Sequence, residues 1–195
     1  MNRTASKNRI TSETEIDVQV NIDGTGIYDI NTGIGFFNHM LQGFARHGLF
    51  DLNVVVNGDT VVDMHHSIED TGIVLGEAFL EALEDKQGIS RFGYFVLPMD
   101  DALCMVSLDL SGRTYFSFEA DFKVERLGTM ETEAVKEFFA GFSNGAKMNL
   151  HIRQLSGENT HHIIEAMFKA FAKALDMATR IDERIDGVMS TKGVL

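Results

Sequence analysis

The chain carries one short motif twice, His-His-Ser-Ile-Glu at 65–69 and His-His-Ile-Ile-Glu at 161–165. The two copies belong to a longer tandem repeat. A shift of 96 residues lays His65, His66 and Glu69 on His161, His162 and Glu165, and carries Ile68, Leu75 and Phe79 onto Ile164, Phe171 and Leu175. Upstream, a shift of 98 places Phe37, Met40, Leu41 and Phe44 on Val135, Phe138, Phe139 and Phe142, both sets at i, i+3, i+4, i+7 helical spacing. Further back, a shift of 88 lays the segment ending at Gly24 on the one ending at Gly112. A duplicated chain is expected to fold the same way twice, so the repeat restricts the architecture before any other property is considered.

Periodicity fills in the unit. Ile16, Val18, Val20 and Ile22 alternate with Asp17, Gln19 and Asn21, the pattern of a half-buried strand. A second strand is predicted near 27–30, a helix over 33–46, a strand near 52–56, and a long helix from the first motif to about 83. The second half predicts strands at 103–110 and 114–118, a helix over 132–143, a strand near 150–154 and a helix from the second motif to about 177. The boundary lies near 85–93, giving a first half of 1–90 and a second of 91–195 with a C-terminal tail. Neither half has enough chain to bury two helices and a small sheet by itself. The expected fold is therefore α+β and internally duplicated, each half with a small mixed sheet and two helices. The helices of both halves should pack between the two sheets as one compact domain.

The motifs combine imidazole and carboxylate in the manner of a metal site, and their repetition suggests two equivalent ions. On a helix His65 and Glu69 are i,i+4 neighbours, and His66 diverges from His65 by roughly 100°. Adjacent histidines can hardly share one ion, but they can serve two. The 98 shift also lays His39 on Glu137, two metal-capable side chains at one place in the repeat. The candidate ligands are then His39, His65, His66, Glu69, Glu137, His161, His162 and Glu165, four from each half. His47 and His151 have no ligand-type counterparts and are read as structural or surface residues.

Composition narrows the class. A chain of 195 residues with 44% hydrophobic content has enough apolar residues for a sizeable core. No run approaches 18 apolar residues, so no membrane span is expected. The N-terminal segment lacks the apolar stretch of a secretory signal. The single cysteine, Cys104, lies in the strand-like run LCMVSLDL and reads as buried core. With no disulfide framework, a cytoplasmic location is expected. A net charge of −12 and the lack of a basic stripe argue against nucleic acid as a partner, though not against a small anionic substrate.

The segments GFFNHML, DMHHSIEDTGIVLGEA, RFGYFVLPMDDAL, DLSGR, NLHIRQLSGENTHHIIEAMFKAFAKAL and STKG, in that order, resemble the imidazoleglycerol-phosphate dehydratases of histidine biosynthesis. The resemblance runs from about Arg9 to Gly193. It implies the duplicated fold reasoned above, two Mn2+ ions per active site, and a homo-oligomer of 24 subunits built from trimers with active sites at subunit contacts. It implies that His39, His65, His66, Glu69, His161, His162 and Glu165 are metal ligands. Many members have a histidine where this chain has Glu137, but a carboxylate is a competent manganese ligand. Arg91, Arg113, Lys169, Ser190, Thr191 and Lys192 match substrate contacts, chiefly to the phosphate. Glu13 matches the acid/base glutamate, which also contacts substrate, and the 88 shift lays it on Asp101. The implied reaction is dehydration of imidazole glycerol phosphate to imidazole acetol phosphate. Metal ions would act as Lewis acids and templates, and a carboxylate such as Glu13 would move the proton. Two other readings use the same ligands: a dinuclear metallohydrolase, tested by phosphate release, and a non-catalytic metal-storage assembly with no need for Arg91, Arg113 and Lys192.

Overall fold

The structure, a computed structural model, describes residues 2–195. The first half runs β1 (Thr4–Ile10), β2 (Thr14–Asn21), β3 (Tyr28–Asn31), α1 (Gly35–Gly48), β4 (Asp51–Gly58) and α2 (His65–Ala82). The second runs β5 (Phe92–Met99), β6 (Ala102–Asp109), β7 (Tyr115–Glu119), β8 (Arg126–Leu127), β9 (Met130–Glu131), α3 (Ala134–Ala146), β10 (Asn149–Ser156) and α4 (Thr160–Thr179). The two large sheets have matching orders, β1-β2-β4-β3 and β5-β6-β10-β7, and β8-β9 forms a separate two-stranded sheet. In each large sheet the first strands pair antiparallel, while β3 with β4 and β7 with β10 run parallel through a helical crossover.

Four strands were not foreseen. β1 is polar, with only Ala5 buried, because an edge strand needs few apolar contacts. β5 contains Pro98, which an edge strand tolerates because its missing N–H costs no ladder bond on the open side. The β8-β9 hairpin lies between β7 and α3, where the first half has only a short connection.

The helices fill the space between the sheets, α2 against β1 and β2 and α4 against β5 and β6. The centre is aromatic and drawn from both halves. Phe44 stacks on Phe171 at 5.5 Å, Phe142 meets Phe79 at 5.4 Å and Phe171 at 4.9 Å, and all four are fully buried. Neither half owns this core, as its small sheet and two helices required. Helices pair across the halves, α1 with α4 and α2 with α3, each pair running parallel. At α2–α3 the backbones nearly touch. A Cβ on Gly141 would lie 2.6 Å from the carbonyl oxygen of Glu69, and one on Gly72 would lie closer still to that of Phe138. Cys104 is buried and donates to the carbonyl of Ile163, and burial pushes its thiol up to about 12, which makes it an inert core residue. Among the described residues no helix is long and apolar enough to cross a membrane.

Candidate metal centre

The crossed helix pairing decides which predicted residues meet. His39 comes from α1 in the first half, and His161 and Glu165 come from α4 in the second. Their ligand atoms all lie within 4.8 Å of one another, the one such group of three among the described residues. His39 Nε2 is 3.9 Å from Glu165 Oε1, and His161 Nε2 is 3.3 Å from Glu165 Oε2. The rings of Phe36 and His161 meet edge to face with centroids 5.0 Å apart. Lys169, one turn beyond Glu165, donates to Glu165 Oε1 at 2.7 Å. Burial pushes the Glu165 carboxyl up, but the Lys169 hydrogen bond and the charges of Lys169, His39 and His161 outweigh it and hold it below the ordinary range. Imidazole nitrogens and an ionised carboxylate at these separations fit a divalent first-row ion.

The second motif-bearing helix repeats part of this arrangement. His65 Nε2 lies 3.4 Å from Glu69 Oε2. Glu137 is half-buried in the first turn of α3, one turn before Gly141 and its contact with Glu69. It does not close on His65 and Glu69 to within the spacing of the other cluster. The two groups thus occupy matching places in the repeat, one gathered and one more open.

His66 and His162 turn away from these groups, as the roughly 100° offset of adjacent helical residues requires. His66 Nδ1 donates to Asp59 Oδ2 at 3.0 Å, and His162 Nδ1 donates to Asp101 Oδ1 at 2.7 Å. An ionised carboxylate only accepts, so its partner nitrogen must carry the hydrogen. The Asp59 hydrogen bond raises the His66 pKa above its ordinary value against the effect of burial. Asp101 accepts from the backbone N–H groups of Asn159 and Glu158, and these bonds with that from His162 hold its carboxyl far below the usual range. The helix starts are fixed locally. Asn159 caps α4 by accepting from the N–H groups of His161 and His162, and Asp63 accepts from His65 N–H at α2. Asp101 was within reach of sequence reasoning, since Glu13 aligns with it, but nothing in the spacing marks Asp59.

Glu13 is exposed in the β1–β2 turn, with Oε2 4.0 Å from His66 Nδ1. Its carbonyl accepts from Asp59 N–H at 3.0 Å, so the turn and the end of β4 are tied together. The predicted phosphate contacts separate into two places. Lys169 stands beside Glu165. Arg91 lies at the other end of α4, where its N–H donates to the carbonyl of Ala178. Its guanidinium grips Asp109 through two bonds of 2.7 and 3.0 Å and donates to the Met189 carbonyl at 2.7 Å. Arg91 thereby holds the tail, and with Ser190 and Thr191 it borders a cleft of about 520 Å³. Lys192 continues the tail through a turn closed by its N–H on Ser190 Oγ. Arg113 is exposed after β6, with Nη1 3.5 Å from the Ser111 carbonyl. His151 lies on the outer face of β10 beside Tyr115, with ring centroids 5.4 Å apart. His47 ends α1, its carbonyl accepting from Lys173, and burial with the charges of Lys169 and Lys173 lowers its pKa.

Comparison with known proteins gives one family throughout. The family model for imidazoleglycerol-phosphate dehydratase matches residues 32–175. The imidazoleglycerol-phosphate dehydratase of Lachnoclostridium phytofermentans is 59% identical over 195 residues, covering 100% of both chains. That of Acetivibrio thermocellus is 57% identical with the same coverage. The solved Staphylococcus aureus dehydratase superposes with a TM-score of 0.83 at 41% identity, covering 92% of this chain and 99% of that one. The Pyrococcus furiosus structure gives 0.84 at 39% identity, covering 97% and 100%. Near-complete coverage at this identity, on a fold that gathers the duplicated motifs, places the chain in the imidazoleglycerol-phosphate dehydratase family, the hydro-lyases of histidine biosynthesis.

Proposed function

We propose that the chain converts imidazole glycerol phosphate to imidazole acetol phosphate in a metal-dependent dehydration, with two Mn2+ ions per active site. The observation that carries this reading is the meeting of His39 with His161 and Glu165, a donor set suited to manganese. His65, His66, Glu69, Glu137 and His162 are the further ligands on this reading. Bound manganese supplies Lewis acidity and a fixed template for the substrate. The chain's own residues then handle the proton and the phosphate. Glu13 takes the carbon-bound proton as general base, a proton accompanies the departing hydroxyl as water, and the resulting enol tautomerises to the ketone. Lys169, Arg91, Arg113, Ser190, Thr191 and Lys192 hold the phosphate and orient the glycerol chain.

The distance along α4 bears on assembly. Ala178, beside Arg91, is 17 residues beyond His161, about 25 Å of helix at 1.5 Å per residue. The side chains of Arg91 and the tail cannot span that gap to the His39–His161–Glu165 cluster. On this reading a site using both draws one of them from another copy, in keeping with the proposed 24-subunit particle of trimers. A cytoplasmic setting, with neither nucleic acid nor membrane as partner, completes the proposal.

One experiment tests these points together. Purified protein is assayed with imidazole glycerol phosphate with manganese present and after chelation, alongside elemental analysis and light scattering. Turnover should require manganese, and chelation should shrink the particle. His162→Ala should lose bound metal and activity together. Full turnover by verified metal-free protein would overturn metal dependence. Release of inorganic phosphate in place of the ketone would favour the hydrolase reading.

A further inference from the structure

We propose that Asp59 and Asp101 are positioning carboxylates that orient the rings of His66 and His162. The duplication has assigned this one task to residues that are not repeat counterparts, leaving Glu13 free of it. The proposal rests on the reading of the paired histidines as metal ligands.

The geometry at the two motifs is the same in outcome and different in origin. In each, the first histidine faces its own glutamate four residues on, and the second presents Nδ1 to an aspartate from another segment. At α4 that aspartate is Asp101, in the β5–β6 turn. At α2 it is Asp59, the residue after β4. The repeat relates neither to the other. The 88 shift pairs Asp101 with Glu13 in the β1–β2 turn, and the 98 shift pairs Asp59 with Gly157, which has no side chain to offer. Glu13, the repeat counterpart of Asp101, instead stands 4.0 Å from His66 Nδ1, outside hydrogen-bond distance, while Asp59 occupies the place at 3.0 Å.

The physical consequence concerns the other ring nitrogen. With Nδ1–H committed to a carboxylate, the lone pair of Nε2 is left for a ligand and the plane of the ring is set. Asp100 is the other acidic group near His162, 3.6 Å from its Nε2, which is beyond hydrogen-bond distance. Asp59 is in turn held from behind, its N–H bonded to the Glu13 carbonyl. Main-chain contact therefore fixes the spacing between Glu13 and His66 while their side chains remain separate. A carboxylate hydrogen-bonded to a histidine would be a poorer base, so relieving Glu13 of this duty leaves its oxygens available to move a proton.

The test is manganese titration into the metal-free full chain. The variants are Asp59→Ala, Asp59→Asn, Asp101→Ala and Glu13→Gln, with circular dichroism confirming the fold. Removal of either aspartate should weaken manganese binding about 10- to 100-fold, the range known for partners that orient metal-bound histidines. Asp59→Asn keeps a carbonyl acceptor and should recover most of that loss. Glu13→Gln should bind manganese as tightly as the unmodified chain while losing turnover. Histidine ring 15N shifts in the metal-free protein should show the Nδ1–H tautomer at His66, and its loss in Asp59→Ala. Asp101 also holds two backbone N–H groups, so Asp59 is the position at which orientation separates from folding. Unchanged affinity in Asp59→Ala overturns the proposal, as does a loss in Glu13→Gln equal to that in Asp59→Ala. If the unmodified chain binds no manganese, the metal reading of the histidines fails first, which distinguishes the two failures.

Discussion

Glu137 shows what one residue can decide. The repeat sets it on His39 with matching apolar neighbours, yet the structure gathers His39 with its partners and leaves Glu137 more open. A ligand and a solvated helix residue respond differently to exchange. As a ligand, Glu137→His should keep turnover and manganese affinity. Glu137→Ala should weaken manganese binding at least about tenfold, since even partners that only orient a ligand are worth that much. Glu133, without a ligand-type counterpart, is the control. Manganese titration of the metal-free variants checks this, and equal affinities for Glu137→Ala and Glu133→Ala would return Glu137 to the surface. Arg91 carries a different lesson. Its guanidinium already spans Asp109 and the Met189 carbonyl, so any phosphate it meets joins an arginine fixed by the fold.

At the scale of elements, the two cross-half helix pairs are alike in direction and unlike in distance. Gly141 in α3 and Gly43 in α1 are repeat counterparts, but only Gly141 faces a neighbouring backbone, and a Cβ on Gly43 would meet nothing within 4 Å. Alanine should therefore have opposite effects. Gly43→Ala should add about 0.5–1 kcal/mol through helix propensity alone. Gly141→Ala gains the same but forces α2 and α3 apart, an overpacking cost of about 1–3 kcal/mol that should prevail. Thermal melts should move by about 2–4 °C per kcal/mol in a chain of this size. A stabilised Gly141→Ala would show that the helix pair gives way freely.

At the scale of the whole molecule, the beginning of the chain is tied to its last helix. Arg3 clamps Asp23 and donates to the carbonyl of Thr179 at the end of α4, so the first strand is locked to the last helix. The Arg3 hydrogen bonds outweigh burial and hold the Asp23 carboxyl below its ordinary 3.8. A lowered folded-state pKa means the contribution is complete above the unfolded value and fades as pH falls through the folded one. Asp23→Asn should thus melt about 2–4 °C lower at neutral pH, for a pair worth about 1 kcal/mol. That gap should begin to narrow as pH falls past 3.8 and close only below the lowered folded-state value, where the native carboxylate is also neutralised. A gap that persisted unchanged into acid would deny the ion pair its role.

Much of this was legible in the chain before any coordinates. The duplication, the α+β class, both motif helices and the apolar spine of α1 and α3 follow from periodicity, because burial on one face of a helix or strand repeats along the sequence. Strand β1 was not legible, since an edge strand with one buried residue leaves almost no pattern, and β5 was obscured by Pro98. The family came from the order of motifs, and His39, His161 and Glu165 were all named as ligands from residue type and repeat. Spacing along one chain says nothing about pairing between helices, however. Only the tertiary structure decided that α1 crosses to α4, so that the gathered site joins one half to the other. Only it set Asp59 before His66, in the place that Asp101, the repeat counterpart of Glu13, holds before His162. Periodicity records which face of an element is buried, and the partner on that face is chosen by how both halves fill one core.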